Sequence, residues 1–168
     1  MRLRKAEAKC ILSSALSSPW VSRFVAFAVT PSAQGTDPLI GTWKLNVAKS
    51  RYDPGPAPKS QTVTYEAWEN GLKLTADGTD AEGRPTHSEY AAKFDGKDYT
   101  WKGNPDADTV ALKRVNDRTV ETIWKKDGKM TITSHSEIAR DGKTRRVTQK
   151  GRDGQGRTVS NSLVYEKQ

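Results

Sequence analysis

Cysteine is nearly absent from this 168-residue chain, with Cys10 the sole example. One thiol close to the N-terminus excludes a disulfide framework within the chain and any multi-cysteine metal centre. Histidine is almost as scarce: His87 and His135 are the only imidazoles, and they stand far apart. A zinc or haem site needs more ligands than that, so no metal and no cofactor are expected. Aliphatic bulk is thin as well, since Leu, Ile, Val and Phe account for 28 of 168 residues, about 17%. By itself that share belongs to chains that bury too little surface to fold. Five Trp and five Tyr answer the deficit, because each ring carries a large apolar area that disordered segments lack. A small core is affordable and a large one is not. Nor is there a run of about 18 uninterrupted apolar residues, so no segment is expected to span a membrane as a helix.

The first 33 residues are of a different kind. Arg2, Arg4, Lys5 and Lys9 precede a stretch from Cys10 to Val29 made of apolar and small residues, which ends at Pro31-Ser32-Ala33. This is the layout of a secretory leader, so residues 1–33 are expected to be a disordered or cleaved segment and the protein to be secreted or periplasmic. Arg23 and several serines interrupt the apolar run, and Ala26-Phe27-Ala28 has the better cleavage pattern. Glu7-Ala8-Lys9 before Cys10 is too charged for a lipoprotein attachment site. Losing the leader removes five basic side chains and one acidic one, leaving 23 against 19, a net charge of +4 in place of +8. Cys10 leaves with it, so the mature chain offers no thiol nucleophile.

From Ile40 onward the chain reads as consecutive hairpins. Asn70-Gly71, Asp95-Gly96, Asp127-Gly128 and Asp141-Gly142 recur between runs rich in Thr, Val, Tyr and Trp. Asn-Gly and Asp-Gly pairs favour tight hairpin turns because both residues tolerate positive φ. The strands expected are 40–46, 61–68, 72–79, 86–94, 98–103, 109–116, 118–126, 129–140, 143–150 and 158–167. Short turns make sequential neighbours pair antiparallel, and closing such a meander removes its two exposed edges. The fold expected over 40–168 is therefore one all-β domain, an antiparallel meander β-barrel of about 8–10 strands. A two-sheet sandwich is the alternative, but it usually needs a long crossover. The one long connection runs from Val47 to Ser60, and its Pro54-Gly55-Pro56-Ala57-Pro58 centre can join neither helix nor ladder. It should cross the surface and cap one barrel end.

Period-two alternation assigns the faces. Met130, Ile132, Ser134, Ser136 and Ile138 share the face expected to point inward, as do Val159, Asn161, Leu163 and Tyr165. Tyr99 with Trp101, Val110 with Leu112 and Arg114, and Val120 with Thr122 and Trp124 form similar sets. Such mixtures of aliphatic, aromatic and polar groups suit a lumen holding water or ligand better than a solid core, where polar atoms need partners. Trp43 is expected to plug the closed end. Trp101 and Trp124 serve equally as packing or as ligand walls.

Gly41-Thr42-Trp43-Lys44-Leu45 and Val164-Tyr165-Glu166-Lys167 resemble the two ends of the fatty-acid-binding-protein family, and the Gly-x-Trp element is shared with lipocalins. Trp124-Lys125-Lys126-Asp127-Gly128-Lys129 and Glu137-Ile138-Ala139-Arg140-Asp141-Gly142-Lys143 are similar to two late hairpins of that family. The resemblance implies a calycin-type barrel that binds a lipid-like molecule. It also implies an acidic head group held by two arginines and a tyrosine, and on the matching stretches Tyr165 takes the tyrosine position. Ser136 and Leu163 fall where the arginines would be, and neither supplies paired charge-assisted hydrogen bonds. Arg114 or Arg145, on other strands, remain as sources of charge.

The function expected is non-catalytic carriage of a small hydrophobic ligand by a monomer. Trp101, Arg114, Thr122, Trp124, Ser136, Leu163 and Tyr165 are the candidate ligand-binding residues, and no catalytic residue is assigned. His135 lies between Ser134 and Ser136, but alternation turns the serines to the opposite face, so no nucleophile–base pair forms. Two other classes compete. Lys125-Lys126, Arg145-Arg146 and Lys150-Gly151-Arg152 could line up as a basic stripe for single-stranded nucleic acid. The small excess of charge beyond the leader and the acidic residue in nearly every turn weigh against that partner. The remaining class is a ligand-free, envelope-associated structural barrel.

Overall fold

A computed structural model describes residues 37–168. The leader expected over 1–33, with Cys10, lies outside these residues. Ten strands follow one another in chain order: β1 (Gly41–Leu45), β2 (Ser60–Trp68), β3 (Gly71–Thr79), β4 (Pro85–Lys93), β5 (Tyr99–Lys102), β6 (Thr109–Asn116), β7 (Thr119–Lys126), β8 (Lys129–Ile138), β9 (Thr144–Arg152) and β10 (Thr158–Lys167). Each pairs antiparallel with its sequence neighbours, and β1 pairs with β10, so the sheet closes on itself. All ten expected strands are present within a few residues of their expected limits. Among the described residues the only helical element is a single 3-10 turn, Val47–Lys49, and no helix is long and apolar enough to cross a membrane.

The closing seam is short, and the long connection completes it. Trp43, Lys44 and Leu45 pair with Lys167, Glu166 and Tyr165. The chain then bulges out through the 3-10 turn and returns to the same partner strand, where Arg51 and Ser162 exchange backbone hydrogen bonds of 2.7 and 2.9 Å. Inside the bulge the Ser50 hydroxyl accepts from the Val164 amide at 2.9 Å, replacing the carbonyl that a regular strand would present. Only the proline-rich remainder crosses open space to β2. The connection is thus half strand and half strap.

One end of the barrel is filled. Trp43 is fully buried there (0% exposed), and its indole Nε1 donates to the Leu39 carbonyl at 2.8 Å. The Lys167 ammonium lies 5.1 Å from the centre of the Trp43 ring and donates to the Pro38 carbonyl at 2.9 Å, so the last strand fastens the segment that leads into the first. Leu39, Leu72, Ala92, Leu112 and Ile138 belong with Trp43 to one buried cluster.

Two expectations fail locally. Met130 was expected inside but is 64% exposed. A register shift between Ile123 and Lys125 inserts one residue into the β7–β8 ladder, so Met130 pairs with Lys125 and the alternation reverses at that hairpin end. Strand β9 also runs past Lys150, because Gly151 lets the backbones of β8 and β9 meet. A Cβ at Gly151 would sit 2.0 Å from the Thr131 carbonyl oxygen.

Replacing the plug tests this arrangement. Trp43→Ala should cost about 3–5 kcal/mol, the usual range for deleting a large buried aromatic, measured from the urea unfolding midpoint. A loss below about 1 kcal/mol, the scale of a surface substitution, would show that the closed end does not depend on this ring.

Candidate functional site

Above the Trp43 plug the barrel is hollow. An internal cavity of about 400 Å³ opens toward the end that carries the proline strap, within the usual range of about 300–1000 Å³ for ligand pockets. Its wall is built from cross-strand rows. In the deepest row Tyr165 on β10 faces Arg145 on β9, which faces Ile138 on β8. The next holds Leu163, Val147, Ser136 and Val120, and the one above it holds Asn161, Gln149, Ser134 and Thr122. On the opposite wall Tyr90, Trp101 and Trp124 meet edge to face, with ring centres 5.0 and 4.8 Å apart. This aromatic ladder supports the barrel where it is thinnest, since β5 contributes only two register pairs to each neighbour.

The mouth is framed by ordered turns. Two of them repeat one five-residue clasp, Asp80-Ala81-Glu82-Gly83-Arg84 and Asp153-Gly154-Gln155-Gly156-Arg157. In each, the aspartate accepts from the backbone amide and the Nε of the arginine four residues on, the Nε bond being 2.7 Å in both. Asp106, in the loop between β5 and β6, accepts from the Gly154 amide at 2.9 Å and ties that loop to the second clasp. Tyr52, Pro54 and Pro58 of the strap complete the rim.

Six of the seven candidate residues line this one cavity: Trp101, Thr122, Trp124, Ser136, Leu163 and Tyr165. Several already have partners. Trp124 Nε1 donates to Thr122 Oγ1 at 3.1 Å, and the Tyr165 hydroxyl donates to Gln61 Oε1 at 2.5 Å. Burial holds the Tyr165 and Tyr90 phenols well above their ordinary pKa and pushes Tyr52 up to about 12, so all three stay neutral at physiological pH. Arg114 is the exception and does not line the cavity. It points inward as expected, but from the far end of β6, where it pairs with Asp37 and stacks 4.1 Å from the centre of the Phe94 ring. Alternation fixes the face of a residue and not its depth. Because barrel strands are tilted, the row that holds Ser136 on β8 reaches Arg114 two strands later, at the closed end.

The charge at the floor of the cavity is Arg145. Its side chain is buried (4% exposed), with the guanidinium carbon 4.6 Å from the Tyr165 ring centre and 4.9 Å from that of Tyr65. Nε and Nη1 have no hydrogen-bond partner among the described residues. Trp101 Nε1 and Ser136 Oγ are unpartnered as well, and all four of these buried atoms belong to residues lining the cavity. Sequence reasoning left Arg145 as a spare charge and as half of a basic doublet. The signal was present in the alternation, which places Arg145, Val147 and Gln149 on one face.

Comparison with known proteins finds no matching family model and no matching curated protein. Among solved structures, a redesigned β-barrel, mFAP0, bound to DFHBI is similar at 15% identity and a TM-score of 0.41, covering 77% of this chain and 99% of that one.

The two imidazoles pair with acids and not with the buried serines. His135 stands across from Glu121 at 3.6 Å and His87 from Asp77 at 2.7 Å, all half-exposed, while Ser134 and Ser136 are buried on the inner face. No group of three His, Cys, Asp or Glu side chains is placed to share a metal ion among the described residues. The basic stripe is interrupted: Arg145 turns inside and Lys125 pairs with Asp98 at 2.8 Å.

The clasps should respond to acid. Partial desolvation pushes the Asp80 and Asp153 carboxyls up, but the amides and side chains of Arg84 and Arg157 outweigh it and hold both below the ordinary value. A depressed carboxyl pKa contributes stability that is complete above the unfolded-state value and is lost as pH falls through the folded-state one. Below a pH of about 4 the protection factors of the Gly83 and Gly156 amides should drop before those of the strands, read by hydrogen exchange corrected for intrinsic rate. Equal loss across the barrel would show that the clasps are not the acid-labile element.

Proposed function

We propose that this protein binds a small, largely apolar molecule inside the barrel and releases it unchanged. The cavity carries this reading: a preformed, aromatic-walled space of about 400 Å³ in a chain that is short of core residues. Burying a ligand there releases water from apolar surface at about 25 cal/mol per Å², against the cost of immobilising the guest. Little ordering of the protein is needed, because the rim turns and the aromatic ladder are already fixed by their own contacts. Carriage without conversion is supported by the half-exposed imidazoles, which pair with Asp77 and Glu121 and not with the buried serines. The leader-like residues 1–33 support a secreted or periplasmic setting for such a carrier. The calycin-like strand ends support a lipid-like guest.

The test is a fluorescence titration of the purified protein with the uncharged dye phenylnaphthylamine, together with native mass spectrometry. Saturable one-to-one uptake, or a co-purifying small molecule, is expected. A protein that stays empty and shows no saturable uptake would end the carrier reading, and retention of oligonucleotides at moderate salt by such a protein would favour the nucleic-acid class instead. Trp124→Ala should weaken dye binding by about tenfold, the scale of one lost aromatic contact, with a cooperative melt retained. Unchanged affinity would remove Trp124 from the site.

A further inference from the structure

The charge at the deep end of the cavity is Arg145, while the other charged residues that line it stand at the mouth. Arg145 lies in the row next to the plug, with the Trp43 ring centre 5.9 Å from its guanidinium carbon. Tyr65 and Tyr165 present their rings to it, an arrangement that stabilises a cation without accepting its N–H groups. A buried guanidinium without a counter-charge is costly, and structures that retain one place an anion or an acceptor beside it. No such acceptor comes from the chain: among the described residues Arg145 forms no ion pair, Asp80 and Asp153 at the mouth are taken by Arg84 and Arg157, and Asp106 there accepts from the Gly154 amide. Ser136 occupies the adjacent row of the neighbouring strand, and its hydroxyl is equally unpartnered. Tyr165 cannot serve the guest as a free donor, because Gln61 holds its hydroxyl. The remaining orphan, Trp101 Nε1, lies on the aromatic wall.

We infer that the guest is an organic acid with an aromatic body, its anionic group seated on Arg145 and Ser136 at the floor of the cavity and its rings against Trp101 and Trp124. This rests on the carrier reading and adds the charge and the direction of entry: acid first, apolar body toward the mouth. The anchoring residue lies on β9, whereas the positions implied by the fatty-acid-binding resemblance, Ser136 on β8 and Leu163 on β10, carry no charge. A guanidinium offers several N–H donors to one carboxylate or sulfonate, and the surrounding low dielectric strengthens each bond.

The experiment compares two dyes with the same ring body, neutral phenylnaphthylamine and anionic anilinonaphthalene sulfonate, titrated into the folded protein. The wild type should bind the sulfonate at least about tenfold more tightly, as expected for one charge-assisted contact. Arg145→Met should erase that preference while leaving the neutral dye bound, and Ser136→Ala should weaken the sulfonate alone by a few-fold. A wild type that binds both dyes equally, or the neutral one better, overturns the anion assignment and leaves the carrier reading standing. Preference surviving in Arg145→Met overturns it as well, because the charge then acts elsewhere. Absence of saturable binding by either dye overturns both readings. Should Arg145→Met fail to fold, displacement of the neutral dye from the wild type decides: naphthoate should compete about tenfold better than its methyl ester, and equal competition overturns the assignment.

Discussion

Everything in this molecule depends on the pairing of its first strand with its last. Three register pairs between β1 and β10, extended by the Arg51–Ser162 bridge, turn an open meander into a closed wall. Closure removes two exposed edges and makes an interior whose width is set by strand number. About eight strands enclose a space that side chains just fill, and width grows with each further strand. Ten strands enclose more than 28 aliphatic and Phe residues spread over the whole chain can occupy. The hollow follows from that mismatch. Aromatic and aliphatic bulk is concentrated at one end around Trp43, and the rest of the lumen is left to rings standing along the walls and to polar side chains.

Those polar side chains fall into two groups. Asn161 with Gln149, Tyr165 with Gln61, and Trp124 with Thr122 satisfy one another, and such pairs hold the wall in one conformation. Arg145, Ser136 and Trp101 do not. The division separates scaffold from site more clearly than burial does, since both groups lie on the inner face. At the mouth Asp80 and Asp153 are locked into clasps with Arg84 and Arg157 and Asp106 is tied to the Gly154 amide, so the charged side chain left without a hydrogen-bond partner lies at the floor.

The order and number of strands were legible in the sequence because they depend on local chemistry. Asn-Gly and Asp-Gly pairs need positive φ at defined points, and the alternation between them repeats at the period of an extended backbone. The faces of Val120, Thr122 and Trp124, and of Leu163 and Tyr165, followed from that period alone. Trp43 could be placed at the closed end on the same grounds together with its size. Where the period was interrupted the reading failed, as at Met130, because one inserted residue in the β7–β8 ladder leaves no trace in composition.

Depth, partnership and charge were decided only by the folded barrel. Arg114 and Arg145 are both inward on alternation, yet strand tilt carries one to the rim of the closed end, where Asp37 neutralises it, and leaves the other in the lumen without an acid. The two residues are indistinguishable along the chain. What separates them is which distant segments arrive beside them: Asp37 for one, the rings of Tyr65 and Tyr165 for the other. Local sequence therefore determined a ten-stranded closed sheet with a mixed inner face, through turn chemistry and period-two patterning. Contacts made only in the closed barrel, from Asn161 with Gln149 on the neighbouring strand to Tyr165 with Gln61 and Arg114 with Asp37 far along the chain, determined which inner polar groups hold the scaffold and which remain free for a guest.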